Sequence, residues 1–131
     1  MGAFDALNIA GSGLGMHQTW LDALASNIAN ANTVVATSQT AFQAQMVVAG
    51  ARPDGGVEVA GIAVSDPEGM LVHDPDNPLA DAEGYVRAPA IDMAAQMSEL
   101  IMAQRGFQAS AQVTKFAQDT YSTAIGIGGR S

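Results

Sequence analysis

The sequence predicts a mainly α protein: long N- and C-terminal helices packed as a coiled-coil-like pair, with a small β-rich and irregular middle insertion. Three observations predict this fold class. Apolar residues recur with a seven-residue period near both ends of the 131-residue chain, all five prolines lie between these two segments, and the acidic residues concentrate there too. We expect an N-terminal axial helix at 1–33, a middle segment at 34–91 and a C-terminal axial helix at 92–131.

The N-terminal segment carries one heptad row of large aliphatic residues, comprising Leu7, Leu14, Leu21 and Ile28. A second row begins three residues further on and comprises Ala10, His17, Leu24 and Ala31. Together the rows form an a/d seam, the pattern that packs one helix against another.

Three asparagines, Asn27, Asn30 and Asn32, lie at or near the end of this predicted helix. Asparagine is unfavourable inside a helix because its amide competes for backbone hydrogen bonds. These residues therefore either end the helix or hydrogen-bond to neighbouring subunits and fix their register. We favour the second role because the helix has few other polar groups.

The C-terminal segment repeats the seven-residue pattern. One row comprises Met93, Leu100, Phe107, Thr114 and Tyr121, and a second comprises Met97, Ala111 and Ile125, interrupted by glutamines. Asp92 precedes the first row and is a suitable N-cap, while Gly126, Gly128 and Gly129 predict the end of the helix.

The middle segment has the composition of short strands and turns. Residues 57–59, 62–64 and 70–72 are β-prone runs separated by turn residues such as Asp54-Gly55 and Glu83-Gly84. They predict a two- or three-stranded β element, which at that size requires support from the helices.

Composition excludes several classes of function. The net charge is −8 with only five Lys and Arg residues, which disfavours nucleic-acid binding, and the absence of cysteine removes thiolate catalysis and zinc–cysteine sites. The glycine-rich run at 11–15 is followed by Met16 at the position where a dinucleotide-binding loop needs glycine, and no strand precedes it. The acidic run at 74–78 lacks the ligand spacing of a calcium loop. We therefore expect no enzyme, no cofactor and no metal.

The charge distribution indicates assembly. The first 51 residues contain only Asp5 and Asp22 as charged residues, whereas residues 52–91 hold eight of the thirteen acidic ones. An isolated surface helix normally carries a charged outer face, so an almost uncharged helix is expected to be surrounded by protein. The alternatives are a free-standing adaptor or export chaperone, whose hairpin would carry more charge, and a small enzyme, for which residues are lacking.

Three motifs carry a resemblance to a known family. Residues 25–33, Ala-Ser-Asn-Ile-Ala-Asn-Ala-Asn-Thr, resemble the N-terminal signature of flagellar rod and hook axial proteins. Residues 74–86, followed by Pro89, are similar to the middle segment of the proximal-rod members, and residues 105–109 resemble their C-terminal-helix motif. The chain departs from the family pattern at Ala90 and Ser110, where the family usually has asparagine.

The resemblance implies a structural subunit of the bacterial flagellar basal-body (proximal) rod, polymerising through its terminal helices to build the drive shaft for motility. It further implies location in the rod within the periplasm and passage through the flagellar type III export apparatus without a cleaved signal peptide. Expected partners are FlgB, FlgF, FlgG, FliE and further copies of the chain, with no nucleic acid and no membrane span.

The helical seams and the motifs together predict an assembly interface on both terminal helices. Its expected residues are Leu7, Leu14, Leu21, Leu24, Asn27, Ile28, Asn30, Met97, Leu100, Arg105, Phe107, Gln108 and Tyr121.

Overall fold

A computed structural model describes residues 2–129, so residues 1, 130 and 131 at the ends of the two predicted helical segments lie outside the described residues. The chain has one helix near each end and a middle of short antiparallel strands, which confirms the predicted mainly α class. The elements are α1 (Ala3–Asn30), β1 (Gln45–Ala51), β2 (Val57–Val64), β3 (Met70–His73), β4 (Tyr85–Ala88) and α2 (Met93–Gly128).

A carboxylate accepts backbone amide hydrogen bonds at the start of each helix. The Asp5 carboxylate accepts a hydrogen bond from the Gly2 amide at the start of α1, 2.9 Å long. Asp92 is the N-cap of α2, as predicted, because its carboxylate accepts from the amides of Ala94 and Ala95. The glycines near the C-terminus do not stop α2 where they first occur: the helix continues through Gly126, because one exposed glycine costs a helix only about 1 kcal/mol.

The two helices run antiparallel along their length. Contacts pair residues early in α1 with residues late in α2, and the numbers of each pair sum to a nearly constant value, which defines an antiparallel register. The pairs are Phe4 with Tyr121, Gly13 with Ser110, His17 with Gly106, and Asn27 with Gln96.

The inward faces agree in part with the predicted seams. Ala10 and Leu24 of the second predicted α1 row are buried, and His17 of that row packs against Gly106 of α2. In α1 the buried residues are Ala10, Gly13, Ala23, Leu24 and Asn27, whereas the predicted row that begins at Leu7 is half-buried beside them. In α2 the row from Leu100 to Tyr121 faces inward, but the row beginning at Met97 is largely exposed. The second inward row is Gln96, Ala103, Ser110 and Ala117. Three of its four members are small and permit a close approach of the two backbones.

The hairpin of β1 and β2 lies along α1. Its register joins Gln45 to Val64 at the base and Ala51 to Val57 at the turn, with an irregularity after Val48. At the turn the Val57 amide donates to the Ser12 hydroxyl of α1, over 3.0 Å. The turn requires a glycine, because Gly55 has φ +86°.

The strands β3 and β4 form a separate antiparallel pair that, among the described elements, packs on neither helix. Asp81 shapes the loop between them, because its carboxylate accepts hydrogen bonds from the Tyr85 and Glu83 amides and from the Thr37 hydroxyl. The bond from Tyr85 is the main cause that lowers the pKa of the Asp81 carboxyl, ahead of partial burial, which opposes it.

The strand prediction was wrong in number. The described chain has four strands in two sheets, where two or three strands were predicted. The missed strands are β1, which lacks polar alternation, and β4, which spans only four residues. Neither has a strong local signal, and each is defined by its pairing with the following or preceding strand.

Candidate assembly interface

The outer face of α1 is exposed along the entire helix and nearly free of charge. Its residues repeat at alternating intervals of three and four, the spacing of a second heptad face opposite the one that packs in the chain. They are Asn8, Gly11, Gly15, Gln18, Asp22, Ala25 and Ala29; Phe4 continues the row at its N-terminal end, where its exposed ring also contacts Tyr121 of α2. Asp22 is the one charged member, and it accepts a 2.9 Å hydrogen bond from Gln18.

The glycine-rich run at 11–15 divides between the two faces of α1. Gly13 is buried and meets Ser110 of α2, whose hydroxyl oxygen lies 2.9 Å from the place that a Cβ on Gly13 would take. Gly11 and Gly15 face open space. The run therefore serves close helix packing through Gly13, while the other two glycines leave the outer face flat.

The predicted interface residues fall into three groups by burial. Leu24 and Asn27 are 2% and 1% exposed, so their side chains lie inside the chain. A second group is half-buried at the edge of the helix pair and comprises Leu7, Leu14, Leu21, Ile28, Asn30, Leu100, Phe107 and Tyr121. The remaining residues, Met97, Arg105 and Gln108, are exposed on α2.

Asn27 joins three elements of the chain. Its amide nitrogen donates to the Gln45 carbonyl of β1 and to the Gln96 side chain of α2, both over 2.8 Å. Its side-chain oxygen accepts from the Gln45 amide, also over 2.8 Å. The polar groups of this asparagine are thus used within the monomer. Asn30 likewise bonds within its own helix, to the Ser26 carbonyl.

The motif at 105–109 contains a glycine, Gly106, that leaves room for a side chain of α1. A side chain on Gly106 would overlap the imidazole ring of His17. That ring is held in place by a 2.7 Å hydrogen bond between Nδ1 and the Gly13 carbonyl oxygen. His17 is therefore a packing residue of the helix pair.

The outer face of α2 combines exposed apolar side chains with glutamines and with charged residues of both signs, Arg105, Lys115 and Asp119. Besides Met97, it exposes Ile101 and Phe116, which are 51% and 74% exposed and which the sequence reasoning did not select. Arg105 and Lys115 lie on the same face and form no ion pair within residues 2–129, where the one salt bridge joins Arg52 and Asp54. These residues lie on one side of α2 because an α-helix turns by about 100° per residue. Their spacing after the Asp92 cap could therefore have identified this face from the sequence.

The remaining candidate sites have structural explanations. His73 packs edge-on against Tyr85, with ring centroids 5.0 Å apart. In the acidic run at 74–78, Asn77 donates to the Asp74 carboxylate and so stabilises the turn. No group of three or more potential ligand residues within the described part of the chain is arranged to hold a metal ion. None of its helices has the length and apolar character to cross a membrane.

Comparison with known proteins identifies the family. Residues 7–37 match the family model described as flagella basal body rod protein, and residues 82–127 match that of the flagellar basal body rod FlgEFG protein C-terminal region. The chain is 34% identical to the flagellar basal-body rod protein FlgC of Salmonella typhimurium over 133 residues, covering 98% of this chain and 99% of the relative. The chain belongs to the FlgC family.

Other FlgC proteins are similar over the same span. Identity is 36% to the Yersinia enterocolitica protein over 133 residues and 29% to the Bacillus subtilis protein over 150 residues, each covering 98% of this chain and 99% of the relative. FlgC proteins are structural subunits of the flagellar basal-body rod, and the family is not one of enzymes. The two family models match α1 with the residues that follow it, and β4 with α2.

Proposed function

We propose that this rod subunit polymerises through its two terminal helices, with the outer face of α1 covered by neighbouring subunits. The observation that carries the proposal is the exposed heptad face from Phe4 to Ala29, which holds a single charged residue. Small and amide side chains lose less hydration energy than charged ones when an interface forms. Gly11 and Gly15, with open space beside them, would admit a close neighbour.

The predicted interface residues divide their roles under this proposal. Leu24 and Asn27 hold the monomer together, the half-buried residues from Leu7 to Tyr121 line the margin of the helix pair, and Met97, Arg105 and Gln108 contact other subunits through α2. The antiparallel contacts between α1 and α2, which extend from Phe4–Tyr121 to Asn27–Gln96, support coiled-coil-like packing.

The place of the subunit in the rod suggests its partners, its location and its export route. The neighbours are FlgB, FlgF, FlgG, FliE and further copies of this chain, and the assembled shaft lies in the periplasm and transmits rotation for motility. The subunit reaches it through the flagellar type III export apparatus without cleavage of a signal peptide. These assignments rest on membership of the FlgC family.

A charge on the outer face of α1 tests the proposed interface. We expect Ala25→Glu to leave the chain folded, because Ala25 is exposed and glutamate is a good helix former. In the rod the same carboxylate would be buried without a partner, so incorporation should fall by about tenfold or more. The measurement is swimming motility, with immunoblotting of purified basal bodies, in a deletion strain that expresses the variant.

The matched control is Ala82→Glu, which places the same charge on an exposed residue of the β3–β4 loop. This variant should assemble and swim like the wild type. Normal incorporation of Ala25→Glu would contradict burial of the α1 outer face.

A further inference from the structure

An uncharged groove opens between the N-terminal half of α1, the β1–β2 turn and α2. Its cavity has a volume of about 540 Å³. Ala6 and Ile9 form one wall, Gly55 and Val57 a second, and Val113 lies at the rim of the third. Every described residue that lines the groove is apolar, a glycine or a serine.

The C-terminal end of α2 extends past α1. Tyr121 packs against Phe4 in the first turn of α1, with ring centroids 4.8 Å apart, so the residues from there to Gly128 lie beyond the paired part of the helices. This overhang is about 10 Å long at 1.5 Å per residue. Residues 120–129 contain no charged side chain, and Ile125 and Ile127 are 56% and 71% exposed.

We propose that the α2 overhang of one copy of the chain occupies the groove of a second copy. Neither the groove nor the overhang carries a charged side chain. Contact between them therefore removes no charged group from water. The groove is also continuous with the α1–α2 interface, since Gly13 and Ser110 belong to both. Ile127 then packs against Val113 and the glycines of the β1–β2 turn. This inference rests on the proposed polymerisation and specifies one of its contacts.

The contact joins two different surfaces of the same molecule. Val113 and Ile127 are fourteen positions apart on one helix, about 21 Å, so a chain cannot fill its own groove with its own overhang. A contact between unlike surfaces leaves a free groove and a free overhang at the ends of each dimer. Repetition therefore adds further copies, as a growing rod requires.

Paired cysteines test the contact without background, because the chain has no cysteine of its own. The test variant carries Val113→Cys and Ile127→Cys, whose spacing of about 21 Å within one chain exceeds the roughly 7 Å limit for a disulfide, so a bond between these two positions joins two copies. The control carries Gln112→Cys with Ile127→Cys, since Gln112 is exposed and points about 100° away from Val113.

Oxidation of basal bodies purified from cells expressing each variant should give dimers and higher multimers for the test pair, about tenfold more than for the control. Equal cross-linking of both pairs, or rods that contain the test variant without cross-links, would overturn the groove contact and leave polymerisation standing. Basal-body rods that lack the wild-type chain would instead contradict the proposed function.

A second comparison keeps the test decisive if the double variant assembles poorly. Ile127→Val should enter the rod like the wild type, because it preserves an apolar side chain on the overhang. Ile127→Asp should be reduced in the rod by about tenfold or more, because the groove offers no partner for its charge. Wild-type amounts of Ile127→Asp in purified rods would overturn the contact.

Discussion

Replacing Asn27 with alanine is expected to lower the free energy of unfolding of the isolated chain by about 3 kcal/mol. The substitution removes three hydrogen bonds, two to the Gln45 backbone and one to the Gln96 side chain. The partners of Asn27 lose these hydrogen bonds at a site where water has little access, because Asn27 itself is only 1% exposed. The higher helix propensity of alanine returns less than about 1 kcal/mol. Urea denaturation followed by circular dichroism measures the difference.

Asn32→Ala is the matched control, because Asn32 belongs to the same motif but is exposed. Its effect should stay within about 0.5 kcal/mol. Equal stability of the Asn27 and Asn32 variants would show that the side chain of Asn27 does not join α1 to β1 and α2 in the free chain.

Replacing Gly106 with alanine is expected to lower the free energy of unfolding by about 1–2 kcal/mol. Alanine stabilises a helix by about 1 kcal/mol relative to glycine, so propensity alone predicts the opposite sign. The added methyl group overlaps the His17 ring, however, and displacement of the ring breaks its hydrogen bond to the Gly13 carbonyl. Overpacking of the helix interface should therefore exceed the gain in propensity. Thermal or urea denaturation gives the sign directly.

Two variants separate packing from propensity. Gly11→Ala adds a methyl group where nothing lies within 4 Å, and it should stabilise the chain by about 1 kcal/mol. Gly106→Ala should likewise become stabilising when His17 is replaced by alanine, because the obstructing ring is gone. If Gly106→Ala and Gly11→Ala stabilised the wild-type chain equally, the close approach of the helices at His17 would be refuted.

The sequence was sufficient to predict the helices but only part of their inward faces. The seven-residue period and the Asp92 cap located both elements, because those signals are local. The predicted rows included Ala10 and Leu24, which are buried, but they omitted Gly13, Ala103 and Ser110, which lie in the interface. A hydrophobicity pattern does not identify such residues, because they stabilise the interface through their small size and not through apolar surface.

The role of Asn27 could not be predicted from the neighbouring sequence, for a different reason. Its partners Gln45 and Gln96 lie 18 and 69 positions away, so only the tertiary fold brings them to the end of α1. The sequence did identify the uncharged character of α1 as unusual. The low charge of α1 can be read from composition alone. In the structure, the uncharged residues form an exposed face with a seven-residue repeat.

Cysteine protection measures burial of the α1 outer face most directly. A single Ala25→Cys substitution gives the chain one exposed thiol on that face, and Ser38→Cys gives one on the exposed loop before β1. In the free chain both thiols should react rapidly with a maleimide reagent. In purified basal bodies we expect Ala25→Cys to react at least about tenfold more slowly than in the free chain. Unchanged reactivity of Ala25→Cys in assembled rods would contradict the account.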